Sequence, residues 1–494
     1  MPSSTVIHHL KSWIIPLSLF LKISLTLSTF LLLLVFFHKV HLYNRTPEFN
    51  FNHSVQHYTT TAAPVVGDRE PTNISHILFG LGGSAKTWPK RRPYVELYWQ
   101  PNVTRGFVWM DQKPPENETW PQTSPPYKVS ANTSSFNYTC WYGDPSAVRL
   151  TRIVKESFEL GLKNVRWFVM GDDDTLFFPE NLVTVLNKYD HNDLYYIGTD
   201  SESVEQDVIF SYKNAFGGGG YAISYPLAEE LVKILDGCIN RYAQLYGGDQ
   251  KIQACVSEIG VQTTKERGFH QVDIRGSSYG LLAAHPVAPL VSLHHVEAVD
   301  QLFPSLNRVE SYRKLVTAYK MDPGRISQQS ICYDLQRNWS ISVSWGYSVQ
   351  LYPSLMMAKE LEKVLGTFQT WASWSDEPFV FDVRSVSDPC GRPVVYFLDR
   401  VETVGNGDTR STYIRYGDVL EKKCDGENYT ATMRVDLVVV TAPQFTRDLW
   451  NKVREVEYSD HIYLYSDKAY IQCILGIINL KTFWLMWTFV DDTL

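Results

Sequence analysis

Three consecutive aspartates, Asp172, Asp173 and Asp174, follow directly on the apolar run from Val165 to Gly171. Such a run is typical of a buried strand, and open α/β sheets bind ligands at the carboxyl ends of their strands. Carboxylate oxygens there suit Mn²⁺ or Mg²⁺, which can neutralise a diphosphate and stabilise the leaving group of a sugar nucleotide. A polar turn or a helix N-terminus also favours acidic residues, so both interpretations stay open at this point.

Two further groups of residues are candidates for the same site. Four glycines, Gly217, Gly218, Gly219 and Gly220, permit a very close backbone approach, as at the floor of a sugar pocket. A bulge or flexible turn explains them equally well, and they match neither a Walker loop nor a dinucleotide fingerprint. His294 and His295 end an apolar run, and a neutral imidazole there is able to complete a Mn²⁺ site or to serve a structural role.

The elements that must position these residues alternate between strand and helix. We predict strands over 74–80, 106–110, 165–171 and 194–198, and helices over 87–98, 147–162 and 179–187. This alternation predicts an α/β fold with a mostly parallel sheet and flanking helices. From residue 328 onward, short alternating runs such as Ile341 to Trp345 indicate a smaller β-rich region that ends near 445.

The overall composition excludes some classes of protein. The chain has 494 residues, 44% of them hydrophobic, which is ample for packed cores and excludes a disordered chain. Its net charge of −7 gives no reason to expect nucleic-acid binding. Aromatic residues make up 14% and suit both sugar-binding clefts and ordinary cores.

The amino-terminal region predicts a membrane anchor. Residues 13–37 are almost wholly apolar and have the length of a membrane-spanning helix, and no clear cleavage site follows them. We therefore divide this region into a cytosolic tail with signal anchor, 1–41, and a stem, 42–72. Glycosylation sequons predict that the rest of the chain is lumenal; they begin at Asn44, Asn52, Asn73, Asn102, Asn117, Asn132, Asn137, Asn338 and Asn428. Chance sequons in a cytosolic protein are the alternative.

The seven cysteines include no Cys-x-x-Cys pair, which argues against a zinc ribbon or a redox motif. In an oxidising lumen some of them should form disulfides. Proximity along the chain alone suggests the pairs Cys238–Cys255 and Cys390–Cys424, and the odd count leaves at least one cysteine without an intramolecular partner.

Five motifs occur in order: NVRWFVMGDDDT, FGGGGYAIS, LYGGDQKIQAC, GFHQVDIRG and HPVAPLVSLHH. Together they resemble the fringe-like glycosyltransferases of family 31, most of all their plant branch, long labelled a domain of unknown function. The similarity covers about 75–443. It implies a Rossmann-like nucleotide-diphospho-sugar transferase fold of type A, which we place over 73–327, with the β-rich region over 328–445. It also implies a type II Golgi membrane protein.

The resemblance implies a reaction and a set of residues. The reaction is inverting, Mn²⁺-dependent transfer from a UDP-sugar to a glycan or glycoconjugate hydroxyl, usually with a β-1,3 linkage. Asp174 would bind the metal, Asp173 would lie near the ribose or metal, and Asp172 would support the cluster. The four glycines would line the donor or acceptor pocket. His294 matches the family's metal histidine, and His270, in a Phe-His context, is the rival ligand.

Asp249 matches an acidic residue that the family places after the glycine motif, and it would be the general base. An ordinary helix N-cap is the alternative role for Asp249. The family pattern is an acidic pair, and this chain has Gln250 at the second position. That departure favours a second hypothesis, a catalytically silent protein that binds glycans or nucleotide sugars.

Residues 446–494 match no family pattern. Ile471 to Val490 is apolar apart from Lys481 and is long enough to cross a membrane. We favour a buried helix or a tail produced by an altered reading of the gene.

Overall fold

The computed structural model describes residues 70–115, 119–371, 382–385, 390–416, 424, 426–446 and 450, and the backbone of 458–465 and 469–475. The predicted anchor at 13–37 and all but the last residues of the stem at 42–72 lie outside the described residues. Among the helices within these ranges, none has both the length and the apolar character needed to cross a membrane.

The described strands form one mixed sheet, one antiparallel sheet and three small two-stranded sheets. In chain order the strands are β1 Ile77–Gly82, β2 Arg105–Met110, β3 Tyr127–Val129, β4 Trp167–Asp172, β5 Leu176–Phe177, β6 Tyr196–Gly198, β7 Tyr221–Ser224, β8 Thr263–Lys265, β9 Ile274–Gly276, β10 Ser292–Leu293, β11 Gln329–Asp334, β12 Trp339–Ser344, β13 Ser348–Tyr352, β14 Val364–Leu365, β15 Phe368–Thr370, β16 Val383–Arg384, β17 Val394–Thr403, β18 Thr409–Arg415, β19 Leu437–Ala442, β20 Tyr458–Tyr465 and β21 Ala469–Leu475.

The described α-helices are mostly short. They are α1 Trp88–Tyr98, α2 Ser146–Glu159, α3 Pro179–Leu186, α4 Val204–Phe210, α5 Tyr225–Arg241, α6 Gly248–Glu258, α7 Tyr279–Ala283, α8 Arg308–Met321, α9 Ala358–Leu361 and α10 Glu427–Thr432. Each helix predicted from the sequence is present, with bounds that differ by a few residues at most.

The mixed sheet has seven strands in the order β3-β2-β1-β4-β7-β6-β8. Strands β3, β2, β1 and β4 are parallel, whereas β7 runs antiparallel to both β4 and β6. The predicted α/β fold with a parallel-rich sheet is confirmed. The antiparallel β7 was not predicted, because its direction depends on how the chain returns after the glycine run.

Strand β4 lies at the centre of this sheet and packs against apolar layers on both faces. Trp167 and Val169 belong to one hydrophobic cluster, whereas Phe168 and Met170 belong to the other. Successive side chains of a strand point to opposite faces, so a strand covered on both sides is apolar at every position. This explains why the run before the aspartates shows no alternation between polar and apolar residues.

The second sheet is antiparallel and has eight strands in the order β11-β12-β13-β17-β18-β19-β20-β21. The predicted smaller β-rich C-terminal region is confirmed. Its sheet continues past the predicted boundary at 445, because β20 pairs with β19 and β21 pairs with β20. Pairing satisfies the backbone groups that β19 would otherwise expose at the edge of the sheet.

Both disulfides suggested from the sequence are present. Cys238–Cys255 joins α5 to α6, and Cys390–Cys424 closes a loop in the β-rich region. Among the described residues, Cys140 is a free and buried thiol. The first disulfide matters for the site because α6 carries Asp249 in its first turn.

Candidate active site

The aspartate cluster lies at the carboxyl end of β4, as the sequence predicted. Asp172 is in register with Gly82 of the parallel strand β1, and the N–H of Asp173 donates to the carbonyl of Gly82 at 2.9 Å. Asp173 and Asp174 are buried, whereas the side chain of Asp172 is 34% exposed. Asp172 is therefore the member of the cluster that a ligand can reach most directly.

The pairing of two short strands positions His294 beside the aspartate cluster. Strand β5 follows the aspartates immediately and pairs antiparallel with β10, which immediately precedes His294. The imidazole Nε2 lies 3.3 Å from Asp174 Oδ1 and 3.7 Å from Asp172 Oδ2. Its Nδ1 lies 3.2 Å from the carbonyl oxygen of Gln271 and donates to it, so Nε2 is the nitrogen directed at the carboxylates.

One ligand atom from each of Asp172, Asp174 and His294 lies within 4.8 Å of the other two. Within the described part of the chain, Asp174 Oδ1 is buried without a hydrogen bond of good geometry. A buried carboxylate oxygen in that condition needs a cation beside it, which is either the protonated imidazole of His294, 3.3 Å away, or a bound metal ion. Two carboxylates and an imidazole are a donor set that suits Mn²⁺.

His270, the rival ligand, occupies a different pocket. Its Nδ1 lies 2.9 Å from Glu202 Oε1, and its ring packs against His285 with 5.0 Å between the ring centroids. Glu202 also accepts the N–H of Val272 at 2.8 Å. The structure therefore brings His294, and not His270, to the aspartates.

Arg91 on α1 is a part of the site that sequence reasoning missed. Its Nη1 lies 2.7 Å from Asp173 Oδ1, and its Nη2 lies 3.1 Å from Asp174 Oδ2 and also contacts Glu297. Thr87 adds a hydrogen bond to Asp173 Oδ2 at 3.0 Å. Arg91 stands in a run of basic residues, and nothing in that run distinguishes it from Arg92 before the fold is known.

The charges of the cluster perturb one another strongly. Burial raises the pKa of Asp173 to about 6, and desolvation by the surrounding protein also raises the pKa of the partly exposed Asp172; Arg91 and His294 respectively oppose these shifts. Burial acts in the same direction on Asp174, but His294 and Arg91 outweigh it and lower the pKa of Asp174 to about 2. Burial disfavours the charged imidazole of His294, yet Asp174 and Asp172 raise the pKa of His294 to about 9. The metal-free site therefore holds a protonated histidine at neutral pH.

The glycine run lies directly over the cluster because β7, which follows it, pairs with β4. Thr175 Oγ1 donates to the carbonyl of Gly218 at 2.7 Å, and Ser292 donates to the carbonyl of Gly219. A Cβ on Gly218 would lie 2.1 Å from Cε1 of His294. The close approach to the backbone that the glycines predicted therefore occurs at Gly218, and the group that lies against the backbone there is the ring of His294.

Asp249 contacts Gly217, the neighbour of the Gly218 that His294 contacts. Its Oδ2 accepts the N–H of Gly217 at 2.9 Å, and its Oδ1 accepts the N–H of Gln250 at 2.7 Å. Burial raises the pKa of Asp249, and these backbone donors oppose the rise. Gly247 is the N-cap of α6, so the alternative N-cap role of Asp249 is not observed.

Gln250 has a structural role that the sequence did not reveal. Its Oε1 accepts the N–H groups of Tyr246 and Gly247 at 2.9 and 3.2 Å, and its Nε2 donates to the carbonyl of Phe210 at 3.0 Å. The side chain therefore caps the first turn of α6 and ties it to the end of α4.

Comparison with known proteins assigns the family. A family profile described as a protein of unknown function, DUF604, matches residues 206–458 of the 494. The chain belongs to the DUF604 family. A second profile, described as fringe-like, matches residues 130–281, which include the aspartates, the glycine run and Asp249. The predicted resemblance to fringe-like glycosyltransferases is confirmed over these residues.

No curated protein matches the chain. Among solved structures, one similar chain is a glycosyltransferase involved in the glycosylation of the major capsid of PBCV-1. It is 14% identical, and the match covers 49% of this DUF604 chain and 98% of that one, with a TM-score of 0.27.

Proposed function

We propose that this DUF604 protein is an inverting, metal-dependent glycosyltransferase. It moves a sugar from a UDP-sugar to a hydroxyl of a glycan or glycoconjugate, with a β-1,3 linkage. One observation carries the proposal: three side chains able to bind a metal converge at the carboxyl end of β4, and two consecutive glycines contact one of them, His294, and a further carboxylate, Asp249.

Asp172, Asp174 and His294 would hold the metal, with Mn²⁺ favoured over Mg²⁺ by the imidazole ligand. When bound, the ion supplies positive charge next to the diphosphate of the leaving nucleotide. Arg91 has a separate task, because its guanidinium neutralises the buried Asp173 and shares Asp174. Without Arg91 the protein would have to bury the Asp173 carboxylate without the cation that lies 2.7 Å from it.

Asp249 is the general base that accepts the proton of the acceptor hydroxyl. As the acceptor oxygen bonds to the anomeric carbon, the bond from that carbon to the UDP oxygen breaks, and the acceptor proton passes to Asp249. Attack from the face opposite the leaving group inverts the anomeric centre. Since burial raises the pKa of Asp249, its carboxylate holds a proton better than an exposed aspartate does.

A lumenal location on a Golgi membrane, with a type II anchor over 13–37, belongs to the same proposal. The described residues include six sequon asparagines, and the side chains of all six are exposed: Asn73, Asn102, Asn132, Asn137, Asn338 and Asn428. Exposed acceptors at each of these positions fit a chain that passes through the secretory lumen.

The first test is UDP binding by the purified full chain, measured by calorimetry with and without Mn²⁺. We expect binding that depends on Mn²⁺ in the unmodified protein and is lost in Asp174→Ala and His294→Ala. His270→Ala is the matched control and should keep it, because His270 lies against Glu202. Binding that survives in Asp174→Ala would remove Asp174 from the donor site.

The second test separates catalysis from binding. Asp249→Asn keeps an oxygen that can accept the Gly217 N–H but cannot take up a proton at neutral pH. We expect unchanged UDP affinity and a loss of roughly 10²–10⁴-fold in UDP release with a panel of glycan acceptors. A folded, UDP-binding wild-type protein that releases no UDP with any acceptor would support the silent binding protein instead.

A further inference from the structure

An exposed group of aromatic side chains lies beside the candidate active site. Trp141 is 90% exposed, Tyr142 56% and Tyr246 40%. Their rings contact one another in sequence: Trp141 and Tyr142 have centroids 5.3 Å apart, and Tyr142 stacks on Tyr246 at 5.5 Å with 12° between the planes. We call these three residues the aromatic platform.

The platform is not explained by the core of the protein. Its rings stand outside both hydrophobic clusters, and the ring of Phe210 contacts Tyr246 with 5.0 Å between the centroids. Large aromatic side chains lose favourable burial when they remain in water, and a contiguous exposed group of them marks a binding surface.

The platform is also held rigidly in place relative to Asp249. Only two glycines separate Tyr246 from Asp249 along the chain. Gln250 accepts the N–H of Tyr246 at 2.9 Å and donates to the carbonyl of Phe210 at 3.0 Å. The hydroxyl of Tyr138 donates to the carbonyl of Tyr246 at 2.8 Å. The backbone N–H and carbonyl of Tyr246 are therefore both hydrogen-bonded, and Gln250 serves to hold Tyr246 in place.

We propose that the aromatic platform is the acceptor subsite and that it binds the pyranose rings of a neutral glycan. A pyranose has C–H faces that stack on aromatic rings and a polar edge that stays in water, which fits rings exposed on one side. A sugar stacked at Tyr246 would present a hydroxyl toward Asp249. This inference rests on the proposed function, because it assigns the acceptor side of the same reaction.

The test uses the purified full chain with UDP and Mn²⁺, probed by saturation-transfer NMR with β-linked trisaccharides of glucose, galactose and xylose. Irradiation of aromatic protein resonances should transfer saturation to the C–H protons of at least one trisaccharide. The double variant Trp141→Ala/Tyr142→Ala should weaken its affinity about tenfold, since each ring contributes a stacking contact. UDP affinity should not change.

Tyr333→Ala is the matched control, because Tyr333 is 38% exposed on β11 in the other sheet. Equal trisaccharide affinity in the double variant and the wild type would overturn the inference. The inference would also be overturned by a wild-type protein that binds UDP with Mn²⁺ but binds none of the trisaccharides. That result would indicate that the platform binds an apolar protein segment instead. Loss of Mn²⁺-dependent UDP binding in the wild type would instead refute the proposed function itself.

Discussion

Replacing Gly218 by alanine should destroy the metal site without altering any ligand. The added Cβ would lie 2.1, 2.2 and 2.5 Å from three atoms of the His294 ring. Ordinary contact begins at 3.4 Å, so the ring has to retreat by more than a metal–ligand distance tolerates, which is about 0.2 Å. His294 is buried, so this retreat also disturbs its neighbours and should cost about 1–3 kcal/mol of unfolding free energy.

Calorimetric titration of UDP into the full chain with Mn²⁺ measures the effect. We expect Gly218→Ala to lose Mn²⁺-dependent binding while circular dichroism shows that the chain remains folded. Gly219→Ala is the neighbouring control, because its Cβ would lie 3.1 Å from the nearest atom, which is tighter than an ordinary contact but much milder than the clash at Gly218, so it should lose less affinity.

A double variant separates the steric argument from a general loss of stability. In a His294→Ala background, the ring that clashes is absent, so Gly218→Ala should cost much less unfolding free energy than it does in the wild type. Equal costs in both backgrounds, or UDP affinity in Gly218→Ala within twofold of the wild type, would refute the reasoning.

Three further predictions concern separate parts of the site. Gln250→Glu, which recreates the acidic pair, should not raise the rate of UDP release. It should lower the unfolding free energy in urea by about 1–3 kcal/mol, because it loses the hydrogen bond to the Phe210 carbonyl. Faster UDP release would instead identify position 250 as the general base. Since the pKa of His294 is about 9 without metal, Mn²⁺ must displace a proton from this residue to bind, and the affinity for Mn²⁺ should rise with pH up to about 9. Calorimetry in buffers of different ionisation enthalpy should detect the released proton. An affinity for Mn²⁺ that does not depend on pH would contradict this prediction. Cys255→Ser removes the disulfide to α5 and should lower the unfolding free energy in urea by about 3 kcal/mol, whereas Cys140→Ser, at a free thiol, should lower it far less. Equal losses in the two variants would show that the disulfide does not stabilise the fold.

Much of the fold was predictable because its signals are local. A strand buried on both faces must be apolar throughout, so the run before Asp172 indicated a central strand and the carboxylates indicated a ligand-binding edge. Short spacing along the chain also suggested both observed disulfides, since closing a short loop costs little entropy.

The choice between His294 and His270 required the tertiary structure. Both follow apolar or aromatic residues, and only the pairing of β5 with β10 brings one of them to Asp174. The partnership of Arg91 with Asp173 likewise joins residues that are far apart in the chain, and no local pattern encodes it.

By itself, the sequence determined which chemical groups this protein has and which strand presents the aspartates, because residue type and hydrophobic periodicity are local properties. Only the tertiary structure decided which groups meet. It placed Gly218 against His294 and Gly217 against Asp249, and it gave Gln250 a structural role as a cap for α6. Such contacts depend on strand pairing and helix packing between distant segments, and these are properties of the folded chain as a whole.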